Sequence, residues 1–567
     1  MTRPLPRAAC AVLASSLLAS SCGSDAPDSS RGPATAVVDE PGEPAGLPWF
    51  AEEARARGLE FVHASGADGR FLMPEIMTTA AALFDADGDG DLDAYLGQAG
   101  GVDVPRGERP GNGLFENVGD GRFEDRTAES GADDRGYAMG VTAGDYDGDG
   151  DVDLFVSNLE RNALLRNDGG FLFTDVTEDA GLGGDDRWSA SAAFLDADGD
   201  GDLDLFVTNY VEWSVDTEIV CRSPRNTRTY CSPKSYKAPA RDQLFENDGD
   251  GTFTDVSSGA GLGAAYGNGL GVVCADFDLD GAPEIFVAND GTPNQLWDRD
   301  EDGRYADRST GLGCAVDIQG RAKAGMGVAV ADHDLDGDED LLVVNLTGED
   351  DSFYRNDGGS FVDRTPAVGL AVVSRKRTRF GVALEDLDLD GRVDLFHANG
   401  RVTEPGELMD GDPFAEENVV MRGLANGRFE EITPRGGVAS PLVATSRAAA
   451  FGDVDGDGDL DVLVHNRDGA AHLLINVAPR GGAHVVLDVR DANGAPAIGA
   501  ALTVQLSTGT LRREVRVANS YGAASSHLVH LGLPEGESIE RVDVAWPGGA
   551  TASLSDLAPG ELRVVRP

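Results

Sequence analysis

Asp145-Tyr146-Asp147-Gly148-Asp149-Gly150-Asp151-Val152-Asp153 is followed at once by Leu154-Phe155-Val156, and the pattern returns six more times in the 567-residue chain. The other copies begin at Asp85, Asp196, Asp276, Asp332, Asp386 and Asp453. Each places Asp at positions one, three and five, Gly at six and a carboxylate at nine. Alternating oxygen-only side chains on a tight turn suit a hard cation that takes six to eight oxygen ligands, so calcium is the expected occupant. The expected ligands are Asp85, Asp87, Asp89 and Asp93; Asp145, Asp147, Asp149 and Asp153; Asp196, Asp198, Asp200 and Asp204; Asp276, Asp278, Asp280 and Glu284; Asp332, Asp334, Asp336 and Asp340; Asp386, Asp388, Asp390 and Asp394; and Asp453, Asp455, Asp457 and Asp461. The seventh position varies from Asp151 to Ala282 to Arg392, as a ligand supplied by the backbone carbonyl allows. The bland alternative is an Asp/Gly-rich turn that binds nothing, but carboxylates crowded into nine residues repel one another unless a cation or protons intervene.

An EF-hand loop would carry Glu at its twelfth position and run into a helix. Here the twelfth residues are Leu96, Val156, Val207, Val287, Val343, His397 and Val464, and β-branched apolar residues follow, so each loop joins two strands. A second pattern recurs between the loops, as in Leu114-Phe115-Glu116-Asn117 with Phe123-Glu124-Asp125, and Leu244-Phe245-Glu246-Asn247 with Phe253-Thr254-Asp255. Each unit thus holds four short strands. Successive loops start 60, 51, 80, 56, 54 and 67 residues apart, far too widely for tandem nonapeptide calcium repeats. Because a four-stranded sheet cannot bury both faces alone, seven of them stack around an axis, and the expected fold is an all-β, seven-bladed β-propeller over 47–479. The stretch from Pro48-Trp49-Phe50 to Phe61 reads as an outer strand without its own loop, able to complete the last sheet.

Phe380-Gly381 and Phe451-Gly452 match the opening of FG-GAP repeats, and the chain resembles that family, which is shared with integrin α propellers. Phe61-Val62-His63 and Tyr230-Cys231-Ser232-Pro233 resemble bacterial proteins of the cartilage-acidic-protein type. Residues 480–567, with Ala497-Ile498-Gly499-Ala500, Asn519-Ser520-Tyr521, Leu531-Gly532-Leu533 and Val542-Asp543-Val544-Ala545-Trp546-Pro547, are similar to the small ASPIC/UnbV domain. The resemblance implies calcium-dependent adhesion or surface binding. Apolar and polar residues alternate over 484–566, which independently predicts a compact β domain on or beside the propeller.

The formal charge is −53, from 99 acids against 46 Lys and Arg. Seven divalent ions would cancel only part of it, and the remainder argues against nucleic acid and against adsorption to anionic lipid by general charge. Residues 1–21 read as a signal peptide, with Arg3 and Arg7 before an apolar run too short to span a bilayer. Leu18-Ala19-Ser20-Ser21-Cys22 resembles a bacterial lipobox, which implies lipidation of Cys22 and an outer-membrane or cell-surface location, with 22–46 a flexible tether. Ordinary secretion is the alternative. Of the remaining cysteines, Cys221 with Cys231 is the first expected disulfide, leaving Cys274 with Cys314.

No H-E-x-x-H, G-x-S-x-G or P-loop is present. Basic and aromatic residues recur before the first strand of several units: Arg135 with Tyr137, Arg187 with Trp188, Lys323, Arg377 and Arg447. In a propeller these positions gather on one face, which predicts a ligand surface for an anion or carbohydrate, or else pairing with the protein's own carboxylates. The insert Cys221 to Arg241 carries Arg222, Arg225, Arg228, Lys234, Lys237 and Arg241 and no acid. It either docks on the acidic body or reaches a partner. The sequence therefore predicts an exported, calcium-binding recognition or adhesion protein for a glycan or protein partner. A glycan-active hydrolase or lyase, or an oxidoreductase using the propeller channel, is the rival.

Overall fold

The computed structural model describes residues 46–567 apart from 185, 265 and 404–410. The predicted signal peptide, Cys22 and nearly all of the tether lie outside the described residues. Among them, no helix is long and apolar enough to cross a membrane.

Seven repeats form seven sheets of antiparallel strands, built in chain order from the axis outward except for the outermost strand of the last. The first comprises Ala81–Phe84, Asp93–Leu96, Gly113–Asn117 and Phe123–Asp125. The innermost strands of the others are Ala138–Gly144, Ser189–Leu195, Gly269–Ala275, Gly325–Ala331, Arg379–Glu385 and Ser446–Gly452. In every sheet the acidic loop connects the first strand to the second, and its ninth residue begins the second strand, as in the Gly144↔Asp153 and Phe84↔Asp93 pairs.

Both faces of each sheet are buried against its neighbours, which explains why the second strands read as continuous apolar runs. Phe84 and Leu114 pack on Val141 and Leu154, Phe155 and Leu164 on Phe194 and Val207, Ala193 and Phe206 on Val272 and Ile285. Val273 and Phe286 then meet Val328 and Leu341, Leu342 and Phe353 meet Val382 and Leu395, and Phe396 and Val420 meet Phe451 and Val462. Leu463 and Leu473 return to Leu83 and Leu96 of the first sheet. Phe50–Glu52 supplies the outer strand of the last sheet, with Phe50 opposite Asn476 and Glu52 opposite Leu474. The first strand among the described residues thus pairs with the last repeat, as its apolar Trp49-Phe50 pair suggested.

A polar staple joins consecutive sheets. In five of them the third strand ends in Asn, whose backbone N–H donates to the ninth-position carboxylate of its own loop; Asn117 N to Asp93 Oδ1 is 2.7 Å. The same side chain reaches into the preceding sheet's loop: Asn117 Nδ2 to Val454 O, Asn167 to Ala86 O, Asn247 to Tyr146 O, Asn356 to Phe277 O and Asn476 to Leu387 O are each 2.8 Å. The fourth and sixth sheets carry Arg299 and Gly423 at this position. Each Asn is buried, and replacing Asn167 with Ala strands the carbonyls of Ala86 and Val152, at an expected cost of about 1–3 kcal/mol. Urea unfolding of Asn167→Ala measures it.

Residues 482–567 fold into a three-stranded sheet (Gly482–Val489, Val529–Pro534, Glu561–Val565) and a four-stranded sheet (Ala501–Leu506, Thr510–Glu514, Ile539–Ala545, Thr551–Leu554). Leu487, Leu502, Val504, Leu531, Val542 and Trp546 fill the space between them. This unit sits on the loop side of the ring, where the Arg512 N–H donates to Asp332 Oδ2 at 3.0 Å. It does more than rest there. Between Thr510–Glu514 and Val529–Pro534 the chain runs into the axis of the ring and back, through Ala518–Asn519 and Ala523–Ala524. Ala523 and Ala524 pair in parallel with Ala81 and Ala82. Ser520 exchanges both backbone hydrogen bonds with Val328, 2.7 and 3.0 Å, and its Oγ accepts from Val382 N at 2.9 Å. Gly522 N donates to Ser191 Oγ at 3.1 Å, and Phe451 N to Ser525 Oγ at 3.1 Å. At Gly522, φ is +56° and a Cβ would stand 2.8 Å from Met139 O, so only glycine fits this approach. Tyr521 lies 1% exposed at the far end, its hydroxyl donating to Met77 O at 3.1 Å. The expected compact domain on or beside the propeller is therefore also the plug of its axis.

Candidate metal centres

The nine-residue loops owe their shape to their own first and ninth side chains. In the first loop Asp85 Oδ1 accepts from Gly88 N at 2.8 Å and Oδ2 from Gly90 N at 3.2 Å, curling the backbone around the carboxylate. Asp93 Oδ2 accepts from Ala86 N at 2.8 Å and fastens the two ends. The second loop repeats the scheme, with Asp145 accepting from Gly148 and Gly150 at 2.8 and 2.9 Å and Asp153 from Tyr146 at 3.1 Å. Glycine at position six takes φ near +100° in both, +96° at Gly90 and +100° at Gly150.

This folding brings acids together. Asp85, Asp87 and Asp93 each offer an oxygen within 4.8 Å of the others, as do Asp145, Asp147 and Asp153; Asp196, Asp198 and Asp204; and Asp276, Asp278 and Glu284. In the fifth loop the gathered set is Asp332, Asp334 and Asp336. The fifth-position acids Asp89, Asp149, Asp200 and Asp280 are not part of these four sets; Asp89 Oδ1 instead accepts from Asp91 N at 2.9 Å.

Burial is the largest influence on the ninth-position acids, and the adjoining carboxylates push the same way. Asp93 is raised to about 8, Asp204 to about 7, Asp340 to about 8 and Glu284 to about 9, against the opposing pull of backbone N–H donors. Asp153, Asp394 and Asp461 are raised well above the carboxylate range for the same reason. Several loop oxygens are buried without a hydrogen-bond donor: Asp276 Oδ1, Asp388 Oδ1, Asp455 Oδ1 and Asp459 Oδ1. Gathered carboxylate oxygens, with no nitrogen or sulfur among them and some loop oxygens buried without a donor, are the donor set of a hard divalent cation.

The loops differ in how far the protein's own cations intrude. Arg422 spans Asp388 and Asp390 of the sixth loop at 2.9 and 2.8 Å, with Arg392 on Asp390 at 2.7 Å. Arg480 pairs with Asp457 and Asp459 of the seventh at 2.8 and 2.9 Å, and Arg57 with Asp455 at 3.1 Å. Arg512 lies 3.2 Å from Asp276. The sixth loop is the one in which an arginine bridges the third and fifth positions.

The predicted ligand surface is corrected by burial. Tyr137 and Trp188 do gather above the axis with Phe380 and Tyr521, but in a sealed cluster covered by Leu72, Met73, Ile76, Met77, Tyr230 and Phe414. Tyr137 donates to Ser65 O at 2.8 Å. Arg447 is fully buried, its guanidinium 4.1 Å from the Phe380 ring centre and donating to the carbonyls of Ile76, Gly400 and Arg401. Lys323 donates to Asp350 O and Asp351 O at 3.1 Å and pairs with the Asp350 carboxylate at 3.2 Å. Arg377 pairs with Glu417 at 3.1 Å and Arg135 with Asp133 at 2.7 Å, while Arg187 donates to Arg241 O at 3.4 Å. Pairing with the protein's own carboxylates, the alternative foreseen, describes Arg135, Lys323 and Arg377, whereas Arg447 and Arg187 bond to backbone carbonyls and the aromatic members are core.

Cys221 and Cys231 form the expected disulfide, S–S 2.07 Å. Cys274 and Cys314 do not pair. Along Gly269–Ala275 side chains alternate, so Cys274 faces the third sheet beside Val272, whereas Cys314 packs with Val273 and Ala275 on the opposite face. Parity of cysteines could not reveal that a sheet stands between them. The stapling asparagines were also missed, although their recurrence after each Leu-Phe-Glu or related triplet was the available signal.

Residues 85–156, 145–207, 217–287, 276–343, 332–397 and 410–464 each match the FG-GAP-like repeat, and 490–566 match the ASPIC and UnbV family. The chain is 25% identical to cartilage acidic protein 1 of Xenopus tropicalis over 521 residues, covering 87% of this chain and 73% of that protein. It is also 25% identical to the Homo sapiens protein over 513 residues, with 87% and 72% covered. Among solved structures, an Agrocybe aegerita lectin that recognises non-reducing terminal N-acetylglucosamine aligns over 69% of this chain and 86% of its own, at 17% identity and TM-score 0.36. With six matched repeats running through the ring of sheets, the chain belongs to the FG-GAP-like repeat family, with an ASPIC/UnbV domain at its C-terminal end.

Proposed function

We propose that this protein is a calcium-stabilised, exported recognition protein, anchored through lipid on Cys22, that binds a glycan or protein partner outside the cell. The observation that carries the calcium assignment is the gathering of three carboxylates, at least one of them buried, in each of five successive loops. The ion's role is structural. Each site ties the first strand of a sheet to the second, and the ninth-position acid also receives the stapling Asn, so calcium would fasten each sheet and, through the staple, its neighbour. The names of the vertebrate relatives refer to cartilage, a tissue rich in extracellular matrix, in keeping with an exported protein. Recognition rather than turnover is supported by the axis: Ser520, Tyr521 and Gly522 occupy the space in which a channel-centred active site would lie.

A glycan array probed with the calcium-loaded protein, beside an assay for reducing-sugar release, tests the reading. Binding without release, weakened when EDTA loosens the scaffold, is expected; release of sugar would replace it with the hydrolase reading. The sixth loop provides a finer check. Arg422 competes with the cation there, so Arg422→Ala is expected to tighten calcium at that loop by about ten-fold or more, visible as one additional strong step in a calcium titration.

A further inference from the structure

In a chain of net charge −53, residues 219–241 hold six basic side chains and no acid. The structure separates this insert into a docked base and a free tip. The base is held by Tyr230, whose ring lies 5.2 Å from Phe71 and 5.5 Å from Phe414, and by Tyr236, whose hydroxyl donates to Glu218 at 2.8 Å. The tip is a two-stranded hairpin, Cys221–Arg222 against Arg228–Thr229, closed by the Cys221–Cys231 disulfide.

Arg222 and Arg228 are direct cross-strand partners in that hairpin, and Arg225 lies in the turn between them. All three are exposed, and among the described residues none pairs with a carboxylate. Arg222 makes a local bond to Asn226 O at 2.9 Å. By contrast, Arg435, also exposed, pairs with Glu417 and Glu431. Like charges placed directly opposite one another destabilise a ladder. A covalent clamp holds this one in place nonetheless, the kind of local conflict that marks a site serving something other than stability.

We infer that the Cys221–Cys231 hairpin is the docking site for an anionic polysaccharide, one bearing uronate carboxylates or sulfates, which Arg222, Arg225 and Arg228 engage as a row. This rests on the reading of the chain as an exported recognition protein and names its partner class and its place. Guanidinium groups take carboxylate or sulfate through paired, charge-assisted hydrogen bonds. Opposed side chains in a hairpin stand about 5 Å apart at Cβ, close to the length of one sugar unit, so Arg222 and Arg228 can address neighbouring charged sugars while Arg225 extends the row. Ile219 and Val220, 36% and 61% exposed beside them, offer apolar contact to sugar-ring faces. A flat anionic membrane would bring many charges within the screening distance of about 10 Å of the acidic body. A single polysaccharide strand can meet the tip alone.

The experiment measures binding of the calcium-loaded full-length protein to immobilised heparin and polygalacturonate, with neutral dextran and phosphatidylserine vesicles in parallel. At least one of the two polyanions should bind, more weakly as salt rises, and dextran should not. Arg222→Gln, Arg225→Gln and Arg228→Gln should each weaken binding about ten-fold, and the triple variant should lose it with an unchanged melting temperature. Arg→Lys at the same positions should restore part of the affinity. Equal binding by the triple variant, no binding to either polyanion, or arginine-dependent binding to vesicles alone would each overturn the assignment. A melting temperature insensitive to EDTA would instead count against the calcium scaffold and leave this test standing.

Discussion

Ending the chain after Ala478 will yield a propeller that no longer unfolds in one cooperative step, even though every sheet of the ring and the closing strand Phe50–Glu52 are retained. The segment removed touches the innermost strands all round the axis: Ala81 and Ala82, Ser191, Val328, Val382 and Phe451 each bond to residues 520–525 or pair with them. Without it, small inner-strand residues such as Gly140, Ala190 and Gly271 line an empty shaft, and their neighbours' backbone groups lose buried partners. A milder form of the same test is Tyr521→Ala. Deleting this buried ring beside Phe380, at 5.0 Å, should cost about 3–5 kcal/mol, while Tyr521→Phe, which removes only the bond to Met77 O, should cost about 1 kcal/mol. A truncated chain that melts cooperatively at the temperature of the full protein would show that the domain rests on the ring without supporting it.

In EDTA, the protein will lose stability as pH rises from about 4 towards 8, the reverse of ordinary acid denaturation. The ninth-position acids set the sign. Burial raises Asp93 and Asp340 to about 8, Asp204 to about 7 and Glu284 to about 9, so the folded loops hold protons that the unfolded chain has released. Stability from such groups is complete below the ordinary carboxylate range and is lost as pH climbs through the folded value. Calcium replaces those protons, and with calcium in excess the slope should flatten or change sign, because at low pH protons compete with the ion. Thermal melts across this range, with and without calcium, read both slopes. A melting temperature in EDTA that is flat between about pH 5 and pH 8 would mean that the carboxylates are neutralised by the protein's own arginines.

Much of this architecture was legible in the sequence because it is local and repeated. The position of Asp153 and its counterparts fixes where each second strand starts, and the apolar residues that follow fix its burial on both faces. Trp49-Phe50 announced a strand with no loop of its own. What remained hidden depends on contacts between repeats or across the ring. Asn117 was visible as the end of a strand, but its bond to Val454 O belongs to the closure of the circle. Asn519-Ser520-Tyr521 gave no periodic signal, since a plug that bonds to strands on every side has no face of its own. The basic and aromatic residues before the inner strands were correctly placed on one end of the axis in the case of Tyr137, Trp188 and Arg447, yet the lid of Leu72 to Met77, with Tyr230 and Phe414, comes from distant segments. The insert remained ambiguous in sequence because docking and display occur together, through Tyr230 at its base and Arg222, Arg225 and Arg228 at its tip.

Calcium bound per chain can be counted by native mass spectrometry of the full-length protein after dialysis against calcium. An ion is expected in every loop except the sixth, where Arg422 holds Asp388 and Asp390, and Asp93→Asn and Asp153→Asn should each remove one ion. A chain that retains no calcium under these conditions while keeping its cooperative melt would contradict the calcium assignment.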